Sequence, residues 1–276
     1  MGVLLIILAI VIVLIVLLYL FSNIILNAVF GKRCEGNPNL KYFTVDDFEN
    51  LENKKIEFKS DKGQILRGFV YKNKLVKEKD VKGLLVFVHG MGAGHLSYTT
   101  EINTLAKNGY KVLAYDNTGT CMSEGKNLNG FYQAVLDLKS CLEFIKTNNE
   151  LNKYNVGLIG HSWGAYSVVQ VLKYKPNVKA VVALCGPDTF ENIITSSMKS
   201  FGNILKPFIR FIIKNKFGKD GIQKSSDVLQ DISEDVSVLL IHGESDKVCT
   251  YENSIFYNKE KFEKNENIIT VAYEGK

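Results

Sequence analysis

The chain opens on an apolar run. Val3 to Phe21 contains no charged residue, and the apolar character continues with interruptions to Phe30. At about 1.5 Å of rise per residue, a helix of this length crosses a bilayer core of roughly 30 Å. Residues 1–31 are therefore expected to form a single-pass membrane anchor, followed by a domain over residues 32–276. A cleaved signal peptide would carry a basic segment before a shorter apolar core, and a buried soluble helix would show a polar face. Lys32 and Arg33 follow the span while only the α-amino group precedes it, which by the positive-inside rule favours a cytoplasmic domain. A signal anchor that exports the domain is the alternative.

Gly31 to Asn53 is a polar connector with a turn at Asn37-Pro38. The pattern then predicts strands over 55–59 and 65–72, joined as a hairpin through Ser60-Asp61-Lys62-Gly63. The continuous apolar run 83–88 predicts a central strand. From there strands and helices alternate: helix 96–108, strand 110–115, helix 131–147, strand 156–159, helix 165–174 and strand 178–185. Such alternation implies parallel strands with helices on both faces. Between Gly186 and Asp235 no buried strand is evident, and Phe201, Ile204, Leu205, Phe208, Ile209, Phe211, Ile212 and Ile213 lie among lysines. This segment predicts amphipathic helices, either a lid over a pocket at about 187–235 or ordinary surface helices; Phe208 to Phe217, apolar and basic, also suits a second membrane contact. Strand 236–241, helix 254–262 and strand 268–273 complete the pattern.

Composition narrows the class. With 46% hydrophobic and 23% charged residues among 276, the chain is globular in character, and its net charge of +5 comes from lysines scattered among acids. No nucleic-acid partner is expected from such a distribution. The five cysteines, at 34, 121, 141, 185 and 249, are too widely spaced to predict a disulfide framework or a zinc site.

Candidate chemistry sits at predicted strand ends. Gly160-His161-Ser162-Trp163-Gly164 has the form G-x-S-x-G between a buried strand and a helix. There glycines permit a sharp turn and the serine is held with its hydroxyl out of the sheet. The amide of Trp163 would lie at a helix N-terminus, where an anion is favoured. After strand 83–88 comes His89-Gly90-Met91-Gly92-Ala93-Gly94-His95, whose Met91 amide is the second candidate for an oxyanion hole. A phosphate-binding reading fails on spacing. After strand 236–241 comes His242-Gly243-Glu244-Ser245-Asp246, and Asp246 is the candidate acid for the serine.

These motifs resemble the α/β-hydrolase superfamily, in particular membrane-anchored bacterial hydrolases similar to serine aminopeptidases and lysophospholipases. His89-Gly90 matches the family's oxyanion loop, and Gly160 to Gly164 matches the nucleophile elbow. Tyr115-Asp116-Asn117-Thr118-Gly119 with Ser123 and Gly125 resembles a D-x-x-G-x-G-x-S segment, with Cys121 where glycine is usual. His242-Gly243 with Asp246 matches the acid turn. The likeness covers about residues 55–276. It implies an α/β-hydrolase fold with a mostly parallel sheet and a helical lid, Ser162 as nucleophile and Asp246 as acid. It implies hydrolysis of an ester, thioester or amide of a small-molecule or lipid acyl substrate, with no metal or organic cofactor.

One member is missing. The family places a histidine after the last strand, whereas the four histidines here are at 89, 95, 161 and 242, all before Asp246. His161 is expected to point away from Ser162, and His95 is the one stand-in on a rim loop. The expectation is a chain truncated before the catalytic histidine and nearly inactive as written. The competing function is a membrane-tethered binding protein that retains the pocket without chemistry.

Overall fold

The computed structural model describes residues 2–196 and 198–274. Gly2–Phe30 forms one helix, α1, and Val3 through Leu17 are all exposed. Among the described residues it is the single helix long and apolar enough to cross a membrane. Its second half meets the domain: Ser22 and Phe30 are buried, and Leu18, Ile25 and Leu26 pack on the core.

Eight strands form one sheet: β1 (Leu51–Lys59), β2 (Ile65–Asn73), β3 (Leu84–Val88), β4 (Lys111–Tyr115), β5 (Val156–His161), β6 (Ala180–Leu184), β7 (Ser237–Gly243) and β8 (Ile268–Tyr273). Their order is β1-β2-β4-β3-β5-β6-β7-β8. The first two pair as a hairpin and β2 runs antiparallel to β4, while every later pairing is parallel. The apolar run of β3 is central as its pattern requires, with Leu84, Val86 and Val88 shielded from solvent on one face and Phe87 on the other.

Helices cover both faces. The helix α2 (Thr99–Lys107) sends Ile102 and Ala106 onto Tyr71, Phe87, Val112 and Ala114. On the opposite face α3 (Gln133–Thr147) and α4 (Trp163–Gln170) build the larger core around Leu138, Cys141, Val168 and Leu158. Between β6 and β7 lie α5 (Phe190–Ser196), α6 (Lys199–Phe217) and α7 (Ser225–Val228). Arg210 of α6 pairs at 2.5 Å with the buried Glu191 of α5. Parallel strands with helices on both faces are what the alternation predicts, and the whole is the α/β-hydrolase architecture that the resemblance implies.

Three elements differ from the periodicity. The first turn of the 96–108 segment is a 3-10 turn, His95–Tyr98, and the 165–174 segment begins at Trp163 and ends as the 3-10 turn Val171–Tyr174. The segment 254–262 is not an α-helix but a 3-10 run, Ile255–Lys261. Its break is at Asn258 (φ −110°, ψ 27°), whose side-chain amide donates to the buried Asp188 at 3.0 Å. A polar side chain held by tertiary structure there overrides a weak helical period.

Arg33 also has an unexpected place. Its guanidinium donates to the carbonyls of Cys121, Ser123 and Gly125 and to Glu35, so it clamps the end of the anchor segment onto the loop after β4. It does more than set the charge after the apolar helix.

Candidate active site

Ser162 lies at the apex between β5 and α4 with φ 53° and ψ −109°. An L-residue rarely holds such a conformation, and it persists only where the surroundings enforce it. Here they do: a Cβ on Gly160 would lie 2.2 Å from the Gly164 carbonyl, and one on Gly164 would lie 2.0 Å from that of Val88. The Ser162 amide donates to Leu184 of β6 at 2.8 Å, and its carbonyl accepts from Tyr166. Trp163 is the first residue of α4, so its amide has no partner within the helix. Its ring is buried, with the indole N–H donating to Phe131.

The glycine loop after β3 lies against this turn. A Cβ on Gly90 would meet the His161 carbonyl at 3.4 Å and the Tyr98 hydroxyl at 3.0 Å, which places Met91 beside the elbow. Tyr98 Oη joins the two: it accepts from the Gly90 amide at 3.0 Å and lies 2.8 Å from His161 Nδ1. With its own proton directed to Nδ1, that nitrogen is the acceptor and the imidazole carries its hydrogen on Nε2. Burial holds His161 below its ordinary pKa, against the opposing charges of Asp246 and Glu101. Tyr98 was not among the residues suggested by the motifs, because an aromatic at the start of a helix looks like any core residue.

His89 is structural. Its Nδ1 donates to the Gly90 carbonyl at 2.8 Å and its Nε2 accepts from the Asn117 amide at 3.0 Å, with burial lowering its pKa. His95 does not reach the elbow. Its ring packs on Phe69 and Tyr71 and its Nδ1 pairs with Asp116 at 2.9 Å, while its buried Nε2 has no hydrogen-bond partner, Ser162 included. His95, the one stand-in the sequence offered for the base, instead anchors the loop to the segment after β4. Asp116 also accepts from the amides of His95 and Met122. Burial pushes its carboxyl up, but the hydrogen bond and charge of His95 hold it below the usual range. Cys121 in that segment has φ 36°, a conformation that glycine adopts without steric cost.

Asp246 is three residues beyond the end of β7. Its Oδ1 accepts from the amides of Val248 and Cys249 at 2.8 and 3.0 Å. Its charge acts on His161, next to Ser162, and on His242, Cys185 and Cys249. Cys185, which follows β6 with φ 53°, feels the same carboxylate: burial raises its thiol's pKa, the Gly243 backbone opposes this, and the charge of Asp246 adds to it. The sequence offered no signal for that contact. His242 is buried with its ring against Tyr251 and Phe256, and desolvation lowers its pKa.

A separate cavity of about 230 Å³ opens between α1 and α6, over Phe131 and Phe190. Ser162 does not line it, and the Trp163 ring packs against its Phe131 with centroids 6.0 Å apart.

Residues 79–235 match the family described as serine aminopeptidase, S33. That span holds the elbow and the glycine loop but stops before Asp246. No curated protein matches the chain. Among solved structures, an esterase of Pyrococcus furiosus, Pf2001, aligns with TM-score 0.67 and 21% identity over 88% of this chain and 89% of its own. An acetyl xylan esterase from Paenibacillus sp. R4 aligns at TM-score 0.63 and 13% identity, over 94% of this chain and 89% of its own. An acylaminoacyl peptidase of Pyrococcus horikoshii gives TM-score 0.59 and 17% identity, over 83% of this chain and 38% of its own. At such identities the structural likeness speaks for the fold, and the family match for the chemistry. The chain belongs to the serine aminopeptidase (S33) family of α/β-hydrolases and is a serine hydrolase.

Proposed function

We propose that Ser162 is the nucleophile of a membrane-tethered hydrolase acting on an ester, thioester or amide of a small-molecule or lipid acyl group. The observation that carries this reading is the enforced positive φ of Ser162 between two glycines that have no room for a side chain. In the reaction Oγ forms a bond to the carbonyl carbon and the bond to the leaving group breaks, the serine proton passing to that group. Water then cleaves the acyl-serine and restores the hydroxyl. The amides of Met91 and Trp163 would hold the developing oxyanion. Asp246 is the acid that orients a histidine base, and α1 is the membrane span, with the domain on the Lys32 and Arg33 side. The α5–α7 insertion is the lid.

No histidine of this polypeptide serves as that base. His89 is committed to Gly90 and Asn117, His95 to Asp116, and His161 Nδ1 to Tyr98, while His242 is packed between Tyr251 and Phe256. Removing the base from a triad costs orders of magnitude in rate. The 276-residue polypeptide is accordingly expected to turn over slowly. The same observation favours a second reading, a tethered protein that binds an acyl ligand without cleaving it.

Hydrolysis of p-nitrophenyl acyl esters by the purified protein and by Ser162→Ala separates the two. A slow rate that disappears in the variant supports the hydrolase. Equal rates leave the binding reading in its place.

A further inference from the structure

The sequence of α6, Lys199 to Phe217, holds five basic residues and no acidic one. Its core-facing stripe is Leu205, Ile209 and Ile213, all buried. A second apolar stripe has no cover from the domain: Phe201, Ile204 and Phe211 are 44, 51 and 54% exposed. At about 100° per residue these three fall within an arc of about 80°, beside the core stripe, with Lys214 about 60° beyond Phe211 on the side away from the core.

The exposed stripe adjoins α1. Phe201 lies against Phe21 with ring centroids 5.9 Å apart, and Phe211 against Tyr19 at 6.3 Å. On α6 these two phenylalanines are about 15 Å apart, yet they meet α1 at positions only about 3 Å apart along its axis. The two helices therefore cross steeply. With α1 along the bilayer normal, α6 lies close to the bilayer plane. Val3 to Phe21 spans about 28 Å, so the contact with Tyr19 and Phe21 falls where the hydrocarbon core ends. Exposed Leu17, Leu20 and Ile24 on α1 continue the same apolar surface. Ile212, Ile213 and Phe217 of α6 line the cavity with Asn27 and Phe30, which lie farther along α1 than Tyr19 and Phe21.

We propose that α6 is an interfacial helix that docks on the lipid bilayer beside α1, with Phe201, Ile204 and Phe211 immersed at the acyl boundary and Lys214 among anionic headgroups. Two features select a lipid surface: the stripe is continuous with the exposed apolar face of α1, and Lys214, which flanks the stripe on the side away from the core, is an exposed cation that complements anionic lipid. The proposal rests on α1 being membrane-spanning. It gives the insertion a fixed position at the interface, where a substrate dissolved in the membrane would be met.

The test uses the full chain in phosphatidylcholine and phosphatidylglycerol liposomes whose acyl chains are brominated near the headgroup. Trp163 is the protein's one tryptophan and is 1% exposed, so it provides a constant background. Phe201→Trp, Ile204→Trp and Phe211→Trp introduce reporters on the stripe, and Leu8→Trp one in the span. The added fluorescence at 201, 204 and 211 is expected to fall by about twofold or more in brominated lipid. Quenching at Leu8 without quenching at 201, 204 and 211 overturns the proposal while leaving the anchor intact. Absence of quenching at Leu8 as well removes the anchor and the proposal together. Stripe tryptophans shielded from acrylamide but untouched by bromine would mean that protein covers the stripe, which also overturns it.

Discussion

At the Ser162 turn, a Cβ on Gly160 or Gly164 would lie within 2.2 Å of backbone carbonyl oxygen, whereas at the Asp246 turn a Cβ on Gly243 would meet nothing within 4 Å. Both turns follow parallel strands of one sheet, β5 and β7, with β6 between them. The first is fixed by close backbone approach, the second by hydrogen bonds to Asp246 from the Val248 and Cys249 amides. A turn set by sterics admits one conformation and leaves its signature in residue type. A turn set by polar contacts tolerates more sequences and has more freedom to reposition its carboxylate.

The largest expected effect comes from breaking the steric side of that contrast. Gly164→Ala should destabilise the protein by about 3 kcal/mol or more, or prevent folding, since both atoms in conflict belong to the backbone. Gly243→Ala should change stability by less than about 0.5 kcal/mol. Denaturant unfolding in detergent micelles reads both, and equal effects would erase the distinction.

Tyr98→Phe tests the link between the elbow and the glycine loop. It leaves the Gly90 amide and His161 Nδ1 without their common partner and should cost about 1–2 kcal/mol. The same pair carries a pH dependence. Because burial lowers the folded pKa of His161, as of His89 and His242, the unfolded chain binds protons first as pH falls. Stability from these neutral imidazoles is fully present above about pH 6.5 and is lost as pH falls through their folded values. Unfolding midpoints at pH 7.5 and 5 should therefore differ less in His161→Gln than in wild type. Cys185→Ala, beside Asp246, should have as small an effect as Gly243→Ala, under about 0.5 kcal/mol in the same unfolding experiment.

The same contrast explains what could be read from the chain. The run 84–88, the elbow and the position of Asp246 after a buried strand were legible because burial and close approach restrict residue type directly. Tyr98 and Cys185 were not, since a buried tyrosine or cysteine has the same sequence appearance whether or not it holds a partner. Asn258 ended a predicted helix through a bond to Asp188, 70 residues away in sequence. The contact of α6 with α1 was also hidden, because amphipathic periodicity specifies that a face is apolar and not which surface covers it. Arg33 was legible as a charge beside a span, and its clamp on the 121–125 loop was not.

The central claim, that the strained serine is the reactive one, is tested most directly by incubating the purified protein with a fluorophosphonate and mapping the adduct by peptide mass spectrometry. A slowly formed adduct on the peptide containing Ser162, absent from Ser162→Ala, is the predicted result. Equal modification of wild type and Ser162→Ala, or an adduct on another residue alone, would contradict it.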